Sequence, residues 1–297
     1  MRHAFRIVNV FTIDGDRFSG NPLCVFEDAR GLTGDQMQAL ARQMNLSETT
    51  FVLPSERADA RVRIFTPGFE MPFAGHPTLG TASVVARGER VVLEMTAGLV
   101  PVTRDGDSWT LRAARAPETR PVEASRTELA QMLGLPDHAV SAEPLWVSTG
   151  VEQLVIPIAS SELVRAARPV PALIERWGLP AAGDEAMAYL WAIDPPRAGS
   201  IARAMGPVTG TVRCFFTANG ALLEDPATGS ACANLGGWMI ATGQPLPMTA
   251  TLRQGDAVQR PSRLGLRVEP VAGGGARDAA IFVTGAVIEL GRGTVEV

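Results

Sequence analysis

Alternation of apolar and polar positions dominates this chain, and helical spacing interrupts it at only a few places. Period-two segments, typical of strands, lie at 4–12, 23–27, 48–55, 60–67, 90–113, 145–158, 185–193, 211–218, 248–255, 263–271 and 279–290. Helical segments lie at 33–45, 75–88, 171–179 and 225–243. One helix for every few strands favours an α+β fold over alternating βαβ units.

An internal repeat divides the chain into two similar halves. The triplet RIF at 63–65 matches RCF at 213–215, and EMPFAGH at 70–76 matches EDPATGS at 224–230. Each copy leads into a helix rich in small residues, which suits the inside of a curled sheet. The sequence therefore predicts two pseudo-symmetric domains, each a mostly antiparallel curled sheet or barrel around a central helix.

The domain boundaries follow from a proline-rich, charged segment at 115–127, which is typical of a linker. We predict a first domain at 1–118 and a second at 119–285, with a C-terminal strand at about 286–297 returning to the first. In the first central helix, proline suits the first turn and Gly88 the end. The second central helix is predicted to open at Pro226 and to close near Gly243.

The charge balance excludes several classes of function. The 297 residues carry a net charge of −4, which argues against a nucleic-acid or acidic-membrane partner. All 27 basic residues are arginine. Without lysine, Schiff-base chemistry, including pyridoxal-phosphate chemistry, is excluded, and so is a phosphate-binding loop of the Walker type.

Thiol and histidine spacing predicts no metal site. The three cysteines form no CxxC pair, and the three histidines lack ligand spacing. We expect reduced structural thiols and, with no signal peptide or membrane-spanning segment in the sequence, a cytoplasmic protein.

The two matched turns carry the candidate chemistry. The turns place Gly75 and His76 at one helix N-terminus, and Thr228, Gly229 and Ser230 at the other. Backbone N–H groups at two helix starts form an anion site for a substrate carboxylate or a developing enolate. The alternative is ordinary capping, which also accounts for a lone histidine or for a carboxylate such as Asp225.

Five motifs, "GNPLCVF", "MNLSETTFV", "RIFTP", "MPFAGHPTLGTA" and "LEDPATGSACANLGG", together resemble the PhzF family of phenazine-biosynthesis isomerases. The resemblance implies the diaminopimelate-epimerase fold, an active site between its two domains, a homodimer and no cofactor. It implies that Glu48, in the "NLSE" motif, shuttles a proton; the residue pattern alone reads it as a solvated glutamate. It assigns supporting roles to His76, Asp225 and Ser230, with the Gly75 and Gly229 amides near the substrate.

The chain departs from the thiol-dependent enzymes of that fold. Epimerases and racemases of this fold use a cysteine at each helix start, whereas Cys232 lies further into its helix and Thr78 takes the matching place. A cofactor-independent proton-transfer isomerase acting on a small carboxylate is therefore the leading hypothesis. An epimerase with Glu48 and Asp225 as opposed bases, and a non-catalytic binder of small anions, remain alternatives.

Overall fold

The computed structural model describes residues 1–113, 115–183, 185–194, 208–218, 220–271, 273, 275 and 278–297. The strands are β1 (Arg2–Val10), β2 (Asn21–Phe26), β3 (Thr49–Leu53), β4 (Ala60–Phe65), β5 (Glu70–Met71), β6 (Arg90–Met95), β7 (Gly98–Asp105), β8 (Ser108–Arg112), β9 (Glu118–Pro121), β10 (Leu145–Ser148), β11 (Glu152–Pro157), β12 (Met187–Ile193), β13 (Val208–Ala218), β14 (Ala221–Asp225), β15 (Met248–Gln254), β16 (Ser262–Pro270) and β17 (Ala279–Glu296). The helices are α1 (Gly34–Met44), α2 (Gly75–Val85), α3 (Arg126–Met132), α4 (Ser161–Ala166), α5 (Pro171–Trp177) and α6 (Gly229–Ala241).

The chain forms two compact units. The first comprises Met1–Arg112 and Val283–Val297, and the second comprises Ala113–Phe282. No helix within the described ranges combines the length and the apolarity needed to span a bilayer.

In the first unit, the strands close into a ring. They pair in the order β1, β2, β3, β4, β6, β7 and β8, and β17 joins β8 back to β1. Helix α2 contacts strands all around this ring. Its residues from Gly75 to Ala82 are buried, as expected for a helix that is apolar on every side.

Close packing of α2 depends on a glycine in its middle. A Cβ added to Gly80 would lie 2.6 Å from Cδ2 of Leu23 and 2.9 Å from Cγ2 of Val10. These distances are shorter than van der Waals contact, so any side chain at this position must displace the Leu23 and Val10 side chains.

We expect Gly80→Ala to lower the free energy of unfolding by about 1–3 kcal/mol, because overpacking costs more than the helix propensity of alanine returns. Urea denaturation measures the change. Gly88→Ala is the matched control, since its added Cβ meets nothing within 4 Å. Equal midpoints for the two variants would contradict this account of the packing.

Helix α1 packs on the outer face of the same strands. Thr33 and Gln36 form a capping box at its start, and Met37 and Ala41 are the residues that it buries. They pack in a core cluster with Phe26 and Phe51, whose rings stack at 4.8 Å. The first unit thus has a helix inside its ring and a second helix outside it.

The second unit repeats this topology. Strands β10 to β13 pair as β1 to β4 do, β14 pairs with β13 as β5 does with β4, and β15 lies parallel to β13 as β6 does to β4. Helix α6 is its central helix and contacts β9, β10, β11 and β16. The predicted α+β fold with a helix at the centre of each half is therefore observed.

Three details of the sequence-based prediction were wrong. Helix α2 ends at Val85, before Gly88, because Ala86 is already extended. Helix α6 begins at Gly229 because a hydrogen bond from Thr228 to Asp225 closes a turn that contains Pro226. The segment at 115–127 is also more than a linker, since it contains β9, which pairs with β10.

Candidate functional site

The two matched turns carry equivalent ion pairs. In the first unit, Arg63 donates to both carboxylate oxygens of Glu70, at 2.7 and 2.6 Å. In the second unit, Arg213 donates to both carboxylate oxygens of Glu224, at 3.0 and 2.7 Å. The register matches as well, because Met71 and Asp225 occupy the same place in their strand pairs. The repeat seen in the sequence is therefore a structural repeat.

The first turn brings His76 and Glu48 together. His76 is the second residue of α2, and its side chain is 5% exposed. Glu48 precedes β3, and its Oε2 lies 3.4 Å from Nδ1 of His76. Sequence reasoning without the family resemblance read Glu48 as a solvated glutamate, but its side chain is only 17% exposed.

The Glu48 carboxyl is poorly solvated. Its Oε2 is buried and accepts no hydrogen bond from any residue that the structure describes. Burial raises the pKa of Glu48 from 4.5 to about 7, although a hydrogen bond with the Ser47 side chain by itself lowers that pKa. A carboxyl with this pKa can both accept and donate a proton near neutral pH, which is what a proton shuttle requires.

The raised pKa makes stability depend on pH. The folded state holds the Glu48 proton more tightly than the unfolded state, so stability falls as pH rises from 4.5 through 7 and then levels off. The glutamine of Glu48→Gln does not ionise, so this pH-dependent loss of stability is absent from the variant. We expect the stability advantage of the variant over the wild type to grow by about 2–3 kcal/mol between pH 5 and pH 8. Denaturation curves at both pH values measure it, and an advantage that does not change with pH would show that the carboxyl titrates normally.

Side-chain hydrogen bonds close the second turn. Thr228 Oγ1 donates to Oδ2 of Asp225 at 2.6 Å. Gln254, which is 1% exposed, donates from Nε2 to Thr228 Oγ1 and to the Asp225 carbonyl, both at 2.9 Å, and accepts from the Thr228 N–H at 3.2 Å. Gln254 therefore fixes the shape of this turn. Sequence reasoning missed it, because nothing in the spacing marks a glutamine at the end of a strand.

Ser230 is held from a neighbouring strand. Its Oγ accepts a hydrogen bond from Nε2 of Gln153 at 3.0 Å. Gln153 lies on β11 and is fully buried. Sequence reasoning predicted Ser230 as a binding residue but gave no reason to select Gln153.

Neither central helix begins with a side-chain cap among the described residues. The residue before α2 is Ala74, and the residue before α6 is Thr228, whose hydroxyl is directed to Asp225. By contrast, α1 and α3 each begin with a complete capping box. The Thr228 side chain is thus not a helix cap, and the first-turn N–H groups at Gly75 and Gly229 suit an anion.

The thiols are unsuited to act as bases. Cys24, Cys214 and Cys232 are buried and reduced. Burial raises the pKa of Cys24 to about 12 and raises the pKa of Cys214 and of Cys232 further. Because the thiolate is the reactive form, a buried thiol with a raised pKa is inert. In the part of the chain that the structure describes, no group of three His, Cys, Asp or Glu side chains is arranged to hold a metal ion.

Comparisons with known proteins agree with this architecture. A family model described as "Phenazine biosynthesis-like protein" matches residues 8–292. The chain is 37% identical to an uncharacterized isomerase of Pasteurella multocida, over 98% of this chain and 93% of the relative. It is 33% identical to the trans-2,3-dihydro-3-hydroxyanthranilate isomerase of Pseudomonas aeruginosa, over 95% of each. A solved PhzF-family structure from Bacillus anthracis matches with a TM-score of 0.82 at 23% identity, covering both chains completely, which confirms the fold.

Proposed function

The chain belongs to the phenazine biosynthesis-like PhzC–PhzF family and is an isomerase, and on that basis we propose that it moves a proton between two carbon atoms of a small carboxylate-bearing metabolite without a bound cofactor. The dihydro-hydroxyanthranilate named for the Pseudomonas aeruginosa relative is the substrate to test first. It combines a carboxylate with a ring on which a proton can change position.

The Glu48 carboxyl is the observation that supports this proposal most strongly. It is buried, lies 3.4 Å from His76, and has a pKa raised to about 7. In the proposed reaction, Glu48 removes a proton from one carbon, exchanges its carboxyl proton with water, and donates a proton to another carbon, so the carboxyl ends in its starting state. His76 lies beside the Glu48 carboxyl and orients it, both when that carboxyl is ionised and when it is protonated.

The second turn is proposed to bind the substrate. The Ser230 hydroxyl and the Gly229 and Ser230 backbone N–H groups lie at an uncapped helix start, which suits a carboxylate. Thr228, whose hydroxyl and N–H donate to Asp225 and Gln254, is proposed to shape this binding turn. Asp225, which accepts from Thr228 at 2.6 Å, is proposed to take part in proton transfer or to fix a polar group of the substrate. In the first turn, the Gly75 N–H at the start of α2 is proposed to stabilise developing negative charge.

Turnover in D2O tests the proposal. We expect the wild-type protein, dialysed against EDTA and given trans-2,3-dihydro-3-hydroxyanthranilate, to form an isomer with deuterium at the carbon that receives the proton. NMR locates the label. Recovery of unlabelled substrate would overturn the proposed reaction on this compound. Labelled substrate with an inverted stereocentre would instead identify an epimerase, and binding without exchange would identify an anion-binding protein.

A further inference from the structure

Buried amides connect Ser230 to the backbone of the second unit. Asn234, on α6 and fully buried, donates from Nδ2 to Oε1 of Gln153 at 2.7 Å. The Asn234 Oδ1 accepts from the backbone N–H and from the hydroxyl of Thr149, both at 2.8 Å. Gln153 in turn donates to Ser230 at 3.0 Å. A continuous line of hydrogen bonds therefore runs from Thr149 to Ser230, and we call it the amide relay.

The direction of every hydrogen bond in the amide relay is fixed. The Thr149 N–H can only donate, so the Asn234 atom that faces it is the carbonyl oxygen. The Asn234 nitrogen then faces two backbone carbonyls, of Val147 and Val151, each at 2.8 Å. Gln153 must therefore present its oxygen to Asn234 and its NH2 group to Ser230. Since the Ser230 oxygen receives that N–H, its own proton is directed elsewhere.

In the first unit, the positions equivalent to those of Gln153 and Asn234 carry no amide side chain. The strand registers and helix starts make Leu23 the counterpart of Gln153, and Gly80 the counterpart of Asn234. There, Leu23 lies against Gly80 and no amide is present. The same fold thus forms without the relay, although burying amides costs free energy unless each one is hydrogen-bonded. The fold of a unit therefore does not require the relay.

We infer that Gln153, held by Asn234, is a positioning residue that fixes the Ser230 hydroxyl as a hydrogen-bond donor to an oxygen of the substrate carboxylate. The inference rests on the proposed function. It assigns Gln153 no contact with the substrate, because its two amide ends are already engaged by Asn234 and Ser230.

Two substitutions at Gln153 separate positioning from packing. Gln153→Leu copies the first unit and removes the hydrogen bond to Ser230, while Asn234 keeps both of its backbone carbonyls. Gln153→Glu keeps the size but, once ionised, replaces the donor with an acceptor, so that Ser230 turns its proton inward. We expect KM for trans-2,3-dihydro-3-hydroxyanthranilate to rise about 3- to 10-fold in the first variant and about 10- to 100-fold in the second, with kcat changed less than threefold.

The pH profile and a double-mutant cycle identify the mechanism. For Gln153→Glu, the ratio of its KM to that of the wild type should increase with pH as the new carboxyl ionises. In a Ser230→Ala background, the effect of either substitution on KM should disappear, because the relay acts through the Ser230 hydroxyl. If Gln153→Glu instead acted by repelling the negatively charged substrate, its effect on KM would persist in the Ser230→Ala background.

Thr81→Val is the matched control. It removes a buried hydrogen bond of 2.8 Å, from Thr81 to Thr50 in the first unit, and should leave KM unchanged. If the wild type turns over and the Gln153 variants, still folded by circular dichroism, match Thr81→Val in KM, the inference is wrong and the proposed function stands. Persistence of the effect in Ser230→Ala also overturns it. No turnover by the wild type overturns the proposed function and this inference with it.

Discussion

Replacing Glu48 with glutamine is expected to lower kcat by about 10²- to 10⁴-fold, which is the usual contribution of a positioned general acid–base group. The amide has the size of the carboxyl but neither takes up nor releases a proton near neutral pH. KM should change little, because the substitution leaves both turns intact. Steady-state kinetics with trans-2,3-dihydro-3-hydroxyanthranilate measures the loss, and deuterium incorporation should fall in parallel.

Glu27→Gln is the control for this experiment. Glu27 follows β2, is paired with Arg6 at 2.8 Å, and is 31% exposed, so its loss removes a carboxylate from the same unit without touching Glu48. The control should keep wild-type turnover. A Glu48→Gln variant with near-wild-type kcat would remove Glu48 from the reaction, and the second turn would then have to supply the base.

The largest stability effect is expected at the second ion pair. The side chains of Arg213 and Glu224 are 8% and 9% exposed, and Arg213 also donates to the Ala167 carbonyl at 2.8 Å. Glu224→Gln leaves the buried guanidinium without its counter-charge. We expect the free energy of unfolding to fall by about 3–5 kcal/mol, because an uncompensated buried charge is costly. Urea denaturation at neutral pH measures the loss.

The first unit supplies the matched control for that prediction. Glu70→Gln breaks the equivalent pair, but Arg63 and Glu70 are 24% and 34% exposed, so water replaces part of the lost interaction. We expect about 1 kcal/mol or less. Similar losses at the two sites would show that burial does not control the strength of this pair, and the two turns would then be energetically alike.

The repeat shows where the two halves of this chain differ. Both turns have the same arginine–glutamate pair and the same glycine at the helix start, so the shared residues build the turn. The residues that differ include those that we propose to bind the substrate or to transfer a proton. His76 takes the place of Ser230, and Met71 takes the place of Asp225.

Much of the fold could be predicted from the sequence, because its signals are local. Period-two alternation marked most of the strands, and the paired E-x-P-x-x-G motifs marked the presence of α2 and α6. Helix ends were harder. Pro226 resembles a first-turn proline. However, a side-chain hydrogen bond between Thr228 and Asp225, three residues apart, closes a turn there, so the helix begins only at Gly229.

The sequence by itself determined the two-fold repeat, the α+β class and the absence of lysine chemistry, since each is a property of order or composition along the chain. The tertiary structure alone decided that the Glu48 carboxyl oxygen is buried beside His76, that Glu224 is paired with Arg213, and that Gln153 and Gln254 hold the second turn. Desolvation and hydrogen bonding depend on which groups lie around an atom in space. The sequence identifies a carboxyl or an amide in the same way whether water or protein surrounds it. Only the folded chain therefore distinguishes a solvated glutamate from one whose pKa is about 7.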